Sequence, residues 1–135
     1  MYSNLFAYSD TALWQLKKKD LVKLLDRVCR AVVIKRDKRC VICGSEFDLQ
    51  QGHYIHRGSY GVRWDLQNNH AQCARCNNLH EHDTEPYTDV MICKYGAEVV
   101  DELRKKAGHH RRYGREELIE IYKGLHRTYS TIKAD

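Results

Sequence analysis

The stretch that decides the fold is residues 40–77, CVICGSEFDLQQGHYIHRGSYGVRWDLQNNHAQCARCN. It begins and ends with Cys-x2-Cys pairs, Cys40 with Cys43 and Cys73 with Cys76. Two such pairs can meet at one tetrahedral metal ion if the chain between them folds back on itself. The spacing therefore predicts a structural Zn²⁺ site with four thiolate ligands, in preference to four unrelated cysteines or a disulfide framework.

The rest of the composition indicates a reducing compartment. The amino-terminal residues lack a positive start followed by an apolar stretch, and the longest apolar run is only Ala31 to Ile34. We therefore expect no signal peptide, no contact with a membrane and a cytoplasmic location. A chain of 135 residues is long enough to bury a core, so we expect one domain spanning residues 1–135.

Positive charge is concentrated in two blocks on either side of the cysteines. The formal net charge is +5, but residues 17–39 and residues 104–115 are far more basic than this value indicates. Two basic blocks that flank a metal site predict contact with a polyanion, and a pair of solvated helix faces is the alternative. The basic residues are Lys17, Lys18, Lys19, Lys23, Arg27, Arg30, Lys35, Arg36, Lys38 and Arg39, then Arg104, Lys105, Lys106, Arg111, Arg112 and Arg115.

Hydrophobic periodicity predicts a helix before the cysteine segment. Apolar residues recur at helical spacing from Leu13 to Lys35, which predicts a long amphipathic helix with a break near Asp20. Ser9 and the two residues after it are candidate caps. Between the Cys pairs the chain is rich in glycine, aromatic and β-branched residues, which is typical of a hairpin and a loop.

Further helices are predicted from the second Cys pair onward. One helix begins at that pair, and Pro86 suits the first turn of the next, with Thr84 as its cap. Gly96 interrupts this pattern, and Gly108 ends the helix that follows. A last helix has an apolar face made of Leu118, Ile121, Tyr122, Leu125 and Tyr129.

These elements together predict an α+β fold. We expect a basic helix at residues 9–36, a zinc-stapled core at residues 37–83 and a helical arm at residues 84–135. Cys29 and Cys93 lie within helical patterns among apolar residues, and both are predicted to fill the core.

The order of residues in this segment resembles the ββα-metal (HNH) nucleases. A strand ends in Gly52-His53, a loop follows, and Asn68 precedes a Cys-x2-Cys pair that runs into Asn77. The resemblance is to the subgroup stapled by a four-cysteine zinc, and the Asn after the last Cys is similar to junction resolvases of the endonuclease VII type. It implies that His53 is the general base, that Asn68 orients the loop holding it, and that Asn77 binds a catalytic Mg²⁺ or Mn²⁺. Asn69 is the alternative to Asn68, and a loop histidine without a catalytic role is the alternative for His53.

Longer phrases resemble the NinG/Rap recombination nucleases of lambdoid phages. They are RDKRCVICG, QGHYIHRG, NHAQCARCNN, YGAEVVDELRKKAG and YGREELIEIYKGLHRTY. The resemblance implies metal-dependent cutting of branched DNA, such as Holliday junctions and D-loops, in the host cytoplasm. A homodimer is expected because a symmetric junction is cut by paired sites.

One position departs from the HNH pattern. Many HNH enzymes have a metal-binding Asp directly before the catalytic His, and this chain has Gly52 there. Glu81 is the first candidate for the replacement ligand, because it lies one helical turn after Asn77 on the same face. His56, which follows the same strand end as His53, is the second.

Two further residues complete the candidates for the replacement ligand. They are His80, which is expected to face solvent, and Asp83. The missing acid also favours a different function, a catalytically silent zinc module that binds DNA or RNA through its basic helices. A third reading is an HNH endonuclease that cuts linear duplex DNA.

Overall fold

The computed structural model describes residues 3–133, which form a mixed α+β fold. Within these residues, six α-helices surround one antiparallel two-stranded sheet, and short 3₁₀ turns cover Ser3–Phe6 and Tyr60–Val62. None of the helices in this part of the chain is long and apolar enough to cross a bilayer. The elements are α1 (Asp10–Gln15), α2 (Lys18–Asp37), β1 (Leu49–His53), β2 (Asn69–Cys73), α3 (Ala74–His80), α4 (Glu85–Tyr95), α5 (Ala97–Gly108) and α6 (Arg115–Thr131).

The amino-terminal helix is broken earlier than the sequence predicted. Ser9 caps α1, as expected, because its hydroxyl accepts a hydrogen bond from the main chain of α1. The break falls at Leu16, whose backbone is extended, and the prediction of a break near Asp20 was wrong. Arg115 explains the position, because its guanidinium donates to the free main-chain carbonyls of Trp14 and Leu16.

Helix α2 is the centre of the larger core. Its apolar face packs against α6, against one face of the β1–β2 hairpin and against the amino-terminal 3₁₀ turn. The predicted inward positions of α6 are buried at Leu118, Tyr122 and Leu125, and Ile119 is buried with them. The Tyr122 hydroxyl also donates a hydrogen bond of 2.6 Å to the Leu5 carbonyl.

The end of α2 holds the hairpin by its backbone. Asp37 accepts a hydrogen bond of 2.8 Å from the Ala71 amide, and Arg36 donates to the carbonyls of Leu66 and Asn69. A two-stranded hairpin is at best marginally stable in water, so these contacts and the cysteine cluster stabilise it. Part of the first basic block therefore has a structural role.

A second, smaller core lies on the other side of the hairpin. It contains Val62 and residues of α4 and α5, including Tyr87, Met91 and Leu103. Pro86 lies in the first turn of α4, as predicted, and Thr84 is the N-cap residue. The Thr84 side chain makes no capping hydrogen bond, and the Glu85 amide donates instead to the Asp83 carboxylate at 3.1 Å.

The two remaining cysteines have different surroundings. Cys29 is fully buried in the larger core, as predicted, and burial raises the pKa of its thiol to about 12. Cys93 is exposed on α4, so the prediction that it fills the core was wrong. The helical pattern around Cys93 identified the element correctly but not the side that faces the core.

Candidate functional site

The four predicted zinc ligands come together. The Sγ atoms of Cys40, Cys43, Cys73 and Cys76 all lie within 4.8 Å of one another, and those of Cys43 and Cys73 are 3.6 Å apart. Sulfurs at about 2.3 Å from a tetrahedral Zn²⁺ lie roughly 3.8 Å apart, so the cluster has the size of a zinc site. The donor set of four thiols also fits zinc, and a closed site of this kind is structural.

Local backbone geometry turns the thiols toward one point. Gly44 follows the first Cys pair with a φ of +79°, and its amide donates 2.9 Å to the Cys40 carbonyl, which closes the turn. At the second pair, Cys73 is the N-cap of α3, and its sulfur accepts from the Cys76 amide. The Val41 amide donates a hydrogen bond of 2.9 Å to the Ala71 carbonyl, and this bond joins the first Cys pair to β2.

The main chain favours ionisation of one of the four thiols, that of Cys40. Burial disfavours the charged form of Cys40, but hydrogen bonds from the main chain of Cys43, Cys73 and Ile42 outweigh it and lower the Cys40 pKa to about 7. Burial, together with hydrogen bonds to the other three cysteines, raises the pKa of Cys76 instead. Zinc binds thiolate rather than thiol, so Cys40 is the ligand that the main chain prepares for metal near neutral pH.

The hairpin has two chemically different faces. Gln51 pairs with Ala71 and His53 with Asn69, and this face is directed toward α2, where the Gln51 amide lies 3.2 Å from the Cys29 sulfur. Because side chains alternate along a strand, Gln50 and Gly52 face the opposite side, toward α3 and α4.

His53 lies at the end of β1 on the face toward α2. Burial lowers the pKa of His53 to about 4, while Asp26 and a hydrogen bond with the Arg63 main chain oppose the shift. Among the described residues, its Nε2 is enclosed and has no hydrogen-bond partner. The imidazole is therefore neutral at physiological pH, with one ring nitrogen unused.

Asn68 and Asn69 both hold the loop that follows His53. The Asn68 amide donates to the carbonyls of Ile55 and Val62, at 3.0 and 3.1 Å, and its oxygen accepts from the Ile55 amide at 2.9 Å. Asn69 donates to the carbonyls at positions 63 and 65 and accepts from Gln51 at 2.8 Å. The choice between the two asparagines is thus not exclusive, because each fixes a different part of the loop.

An ion pair that the sequence did not indicate supports the same loop. Asp26 of α2 accepts from two nitrogens of Arg63, at 2.9 and 2.6 Å, and from the Trp64 indole at 2.9 Å. The Arg63 guanidinium also lies 4.8 Å from the centre of the Tyr60 ring. Both Arg63 and Trp64 are buried, and the only sequence signal is an arginine beside a tryptophan in a polar loop.

The other predicted site residues are not gathered around His53. Asn77 of α3 donates 2.9 Å to the Gln50 side chain, on the opposite face of the hairpin. Glu81 is exposed just beyond the end of α3. His56 is exposed as well, and its Nδ1 accepts from the Gly58 amide in a local turn.

His80 does not face solvent as the sequence analysis expected. Its Nε2 lies 2.8 Å from the Tyr54 carbonyl, and its Nδ1 is buried without a hydrogen-bond partner among the described residues. It therefore points from α3 toward the hairpin.

The two basic blocks meet in one cleft. A cavity of about 680 Å³ lies between the start of α2 and the segment that joins α5 to α6. Below, this cavity is the basic cleft. Its wall includes Tyr60, the ring that packs on Arg63 in the loop after His53. The residues that line it are Lys18, Lys19, Val22, Tyr60, His110, Arg111, Arg112, Tyr113 and Leu118.

Some basic residues predicted to face a polyanion have internal partners. Lys35 donates to the Tyr129 carbonyl at 2.9 Å and lies 4.0 Å from the centre of its ring. Arg115 holds the carbonyls that end α1, and Arg36 holds the hairpin. Only part of each block is therefore available for binding, and Lys18 and Arg112 are exposed examples within the basic cleft.

The family model and the similar proteins both point to one family of phage proteins. The family model described as Bacteriophage Lambda NinG protein matches residues 11–134. Proteins named ninG from Escherichia phage lambda, Salmonella phage P22 and Escherichia phage 933W are each 30% identical to the chain over 95 residues. Each alignment covers 67% of this chain and 47% of the relative, so the chain spans about half the length of the curated relatives it matches. No solved structure matches.

Proposed function

Because the chain belongs to the NinG family of phage proteins, we propose that it is a metal-dependent endonuclease that cuts branched DNA, such as Holliday junctions and D-loops. In this proposal His53 is the general base that takes a proton from the attacking water. Asn68 holds the loop after His53. Asn77 contributes to binding a catalytic Mg²⁺ or Mn²⁺ from the opposite face of the hairpin. His53 and Asn77 would therefore act on one phosphate only around the end of β1, where His53 lies. A bound divalent cation would supply charge stabilisation at the scissile phosphate. The closed four-cysteine site has no open position, so its role is to fix the end of the hairpin against α3.

The observation that carries the proposal is the state of His53. A general base needs a lone pair that is free at the pH of the cell, and burial keeps this imidazole neutral with Nε2 unpartnered among the described residues. The same burial lowers the pKa of His53 to about 4 and so makes it a weaker base than a histidine that titrates near neutral pH. The Arg63 main chain fixes the ring through a hydrogen bond. Asn68 and Asn69 fix the loop around it, so the base is preorganised.

The basic cleft supports a DNA substrate. Lysine and arginine side chains from both basic blocks line one cavity, which is the arrangement expected for contacts to a phosphate backbone. Tyr60 joins this cavity to Arg63 and so to the loop after His53. A DNA strand bound in the cleft would therefore contact Tyr60, which belongs to the loop after His53.

Two observations favour a second candidate, a catalytically silent zinc module that binds nucleic acid. The position before His53 has no carboxylate, because it is Gly52. In addition, His53 Nε2 is enclosed, so water reaches it only if the surrounding loop moves. Such a module would keep the zinc site and the basic cleft and would lack hydrolysis.

Cleavage assays separate these functions. The zinc-loaded chain and its His53→Ala variant are incubated with a four-way junction and with linear duplex of the same sequence, in Mg²⁺, in Mn²⁺ and in EDTA. We expect wild-type protein to cut the junction only with added metal, and the variant to be at least about a hundredfold slower. Equal cutting of the linear duplex would favour the general HNH endonuclease. Binding without any cutting would favour the silent module.

The proposed assembly is a homodimer acting in the host cytoplasm. A four-way junction has two-fold symmetry, and two subunits related by the same symmetry cut paired strands. Light scattering of the protein bound to a junction measures the number of chains. A complex with one chain per junction would exclude paired cutting by a dimer.

A further inference from the structure

Gly52 and Gln72 form a size-matched pair on the side of the hairpin that faces α3. A Cβ atom added to Gly52 would lie 1.9 Å from Gln72 Oε1 and 2.6 Å from its Cδ, so no larger residue fits without moving Gln72. Gln72 is 1% exposed. The space that an aspartate side chain would need at position 52 is therefore occupied by a glutamine amide from the neighbouring strand.

That amide is buried without hydrogen bonds. Neither Oε1 nor Nε2 of Gln72 has a partner among the described residues. A buried amide that leaves both groups unpaired is costly and rare, and it requires a structural or functional explanation. A cation that accepts the amide oxygen as a ligand would provide one.

His80 offers a second unpaired atom at the same end of β1. A carbonyl can only accept, so the contact of 2.8 Å with the Tyr54 carbonyl places the proton on His80 Nε2. Nδ1 then has a free lone pair, and it is buried without a partner. Metal-binding histidines usually donate their other N–H in this way to a carbonyl or carboxylate.

Tyr87 contacts both the His80 ring and Gly52, the residue against which the Gln72 amide packs. The centre of the Tyr87 ring lies 4.9 Å from the centre of the His80 ring, and the Tyr87 hydroxyl donates a hydrogen bond of 2.8 Å to the Gly52 carbonyl. Asn77 lies one turn before His80 on α3. Its amide nitrogen donates to Gln50, which leaves its oxygen as an acceptor.

We propose that Gln72 Oε1 and His80 Nδ1, together with the Asn77 side-chain oxygen, hold a divalent cation between the hairpin and α3. This inference rests on the proposed function for its role in catalysis, but the binding site can be tested independently. Gln72 then replaces the carboxylate that Gly52 lacks, and Gly52 is required because Gln72 needs its space. Glu81 and His56 are not needed as ligands, and both are exposed.

The chemistry of this donor set predicts its selectivity. Two amide oxygens and an imidazole nitrogen carry no charge, whereas Mg²⁺ is usually bound through carboxylates and phosphates. Imidazole favours transition metals, so Mn²⁺ should bind more tightly than Mg²⁺. A phosphate of the DNA would supply the missing negative charge, so bound DNA should strengthen metal binding.

The test measures metal binding directly. The zinc-loaded 135-residue chain is titrated with Mn²⁺, with and without a short DNA duplex, and free Mn²⁺ is followed by electron paramagnetic resonance. Nuclear magnetic resonance line broadening then locates the bound ion. We expect broadening centred on Gly52, Gln72 and His80, and tighter binding in the presence of DNA. Broadening elsewhere, or no binding with DNA present, would overturn the inference.

Gln72→Met is the decisive variant, because it keeps a long side chain and removes the amide. We expect the Mn²⁺ dissociation constant to rise at least about tenfold. The melting temperature should be unchanged or higher, since an unpaired buried amide is removed. Glu81→Gln is the matched control and should bind Mn²⁺ like the wild type. If Gln72→Met binds normally, or Glu81→Gln loses binding, the ligand assignment is wrong.

Failure of this inference can be distinguished from failure of the proposed function. Mn²⁺ binding that depends on Gln72, without cleavage of any DNA, would leave the site in place and remove the nuclease. Metal-dependent cleavage that survives Gln72→Met with unchanged Mn²⁺ binding would support the nuclease and exclude Gln72 as a metal ligand. His80→Phe is a second, independent variant, and it should weaken Mn²⁺ binding while thermal unfolding shows that the fold is kept.

Discussion

Lowering the pH should destabilise the protein through His53. Burial lowers the pKa of His53 from its usual value near 6.5 to about 4. Between these two values the unfolded chain binds a proton at this residue and the folded chain does not. The stabilising contribution is therefore complete above about pH 6.5 and is lost as the pH falls toward 4. Full loss would amount to at most about 3 kcal/mol, because water partly screens a side chain that is not fully buried.

Urea unfolding of the zinc-loaded protein measures this effect. Between about pH 7.5 and pH 5, the wild type should lose about 2 kcal/mol more than a His53→Asn variant, in which the group that titrates is absent. Only the difference between the two proteins is informative, because His70 also has a pKa lowered to about 4 by burial and because acid weakens zinc binding. Both of these contributions are common to the two proteins and cancel.

Equal pH dependence of the two proteins would refute the reasoning. It would mean that His53 titrates in the fold as it does in the unfolded chain, and therefore that the ring is not enclosed. A direct titration of the histidine resonances provides an independent check, since His53 should remain neutral at about pH 5.5. A base that stays neutral in mild acid also predicts that cleavage does not decline near pH 6 through protonation of His53.

Three further predictions concern the base, the zinc site and the basic cleft. His53→Ala should slow cutting by about a hundred- to ten-thousandfold while junction affinity changes little, and cutting at the wild-type rate would exclude His53 as the base. Cys40→Ser should abolish zinc binding and cooperative unfolding, since a structural zinc contributes on the order of 10 kcal/mol; a folded, zinc-free variant by circular dichroism and metal analysis would contradict the four-cysteine site. The double replacement of Lys18 and Arg112 by Ala should flatten the salt dependence of DNA affinity by about 0.9 per lost phosphate contact in log–log slope. Arg115→Ala should instead lower the melting temperature with the slope retained, and the opposite pattern would mean that the cleft does not bind DNA.

Much of the fold could be predicted from the sequence because its signals are local. The spacing of the cysteines predicted the cluster. Hydrophobic periodicity, together with the positions of glycine and proline, predicted the hairpin and most helices. Ser9 and Pro86 marked helix starts correctly for the same reason. The break in the first helix was misplaced because its cause, Arg115, lies far away in the chain.

The site was less predictable because its decisive contacts are made between distant residues. Asp26 and Arg63 form an ion pair that joins α2 to the loop between the two strands, and nothing near either residue in the sequence indicates it. The register of the hairpin places His53 and Asn77 on opposite faces, which the residue order of the motif does not reveal. The sequence also did not show why position 52 is a glycine. The side chain of Gln72, on the neighbouring strand, occupies the space that a larger residue would need there, and no turn is involved.

The packing of α6 on α2 has a consequence for the order in which the chain assembles during synthesis. The first half of the larger core is made early, but Tyr122 and Leu125, which complete it, are among the last described residues to leave the ribosome. The four cysteines and the hairpin emerge before α6. Zinc is therefore available to a nascent chain whose α2 face is still uncovered, and we expect metal loading to precede closure of the core. In a shortage of zinc the hairpin would lack its metal during this interval, and we expect the uncovered apolar face of α2 to favour aggregation.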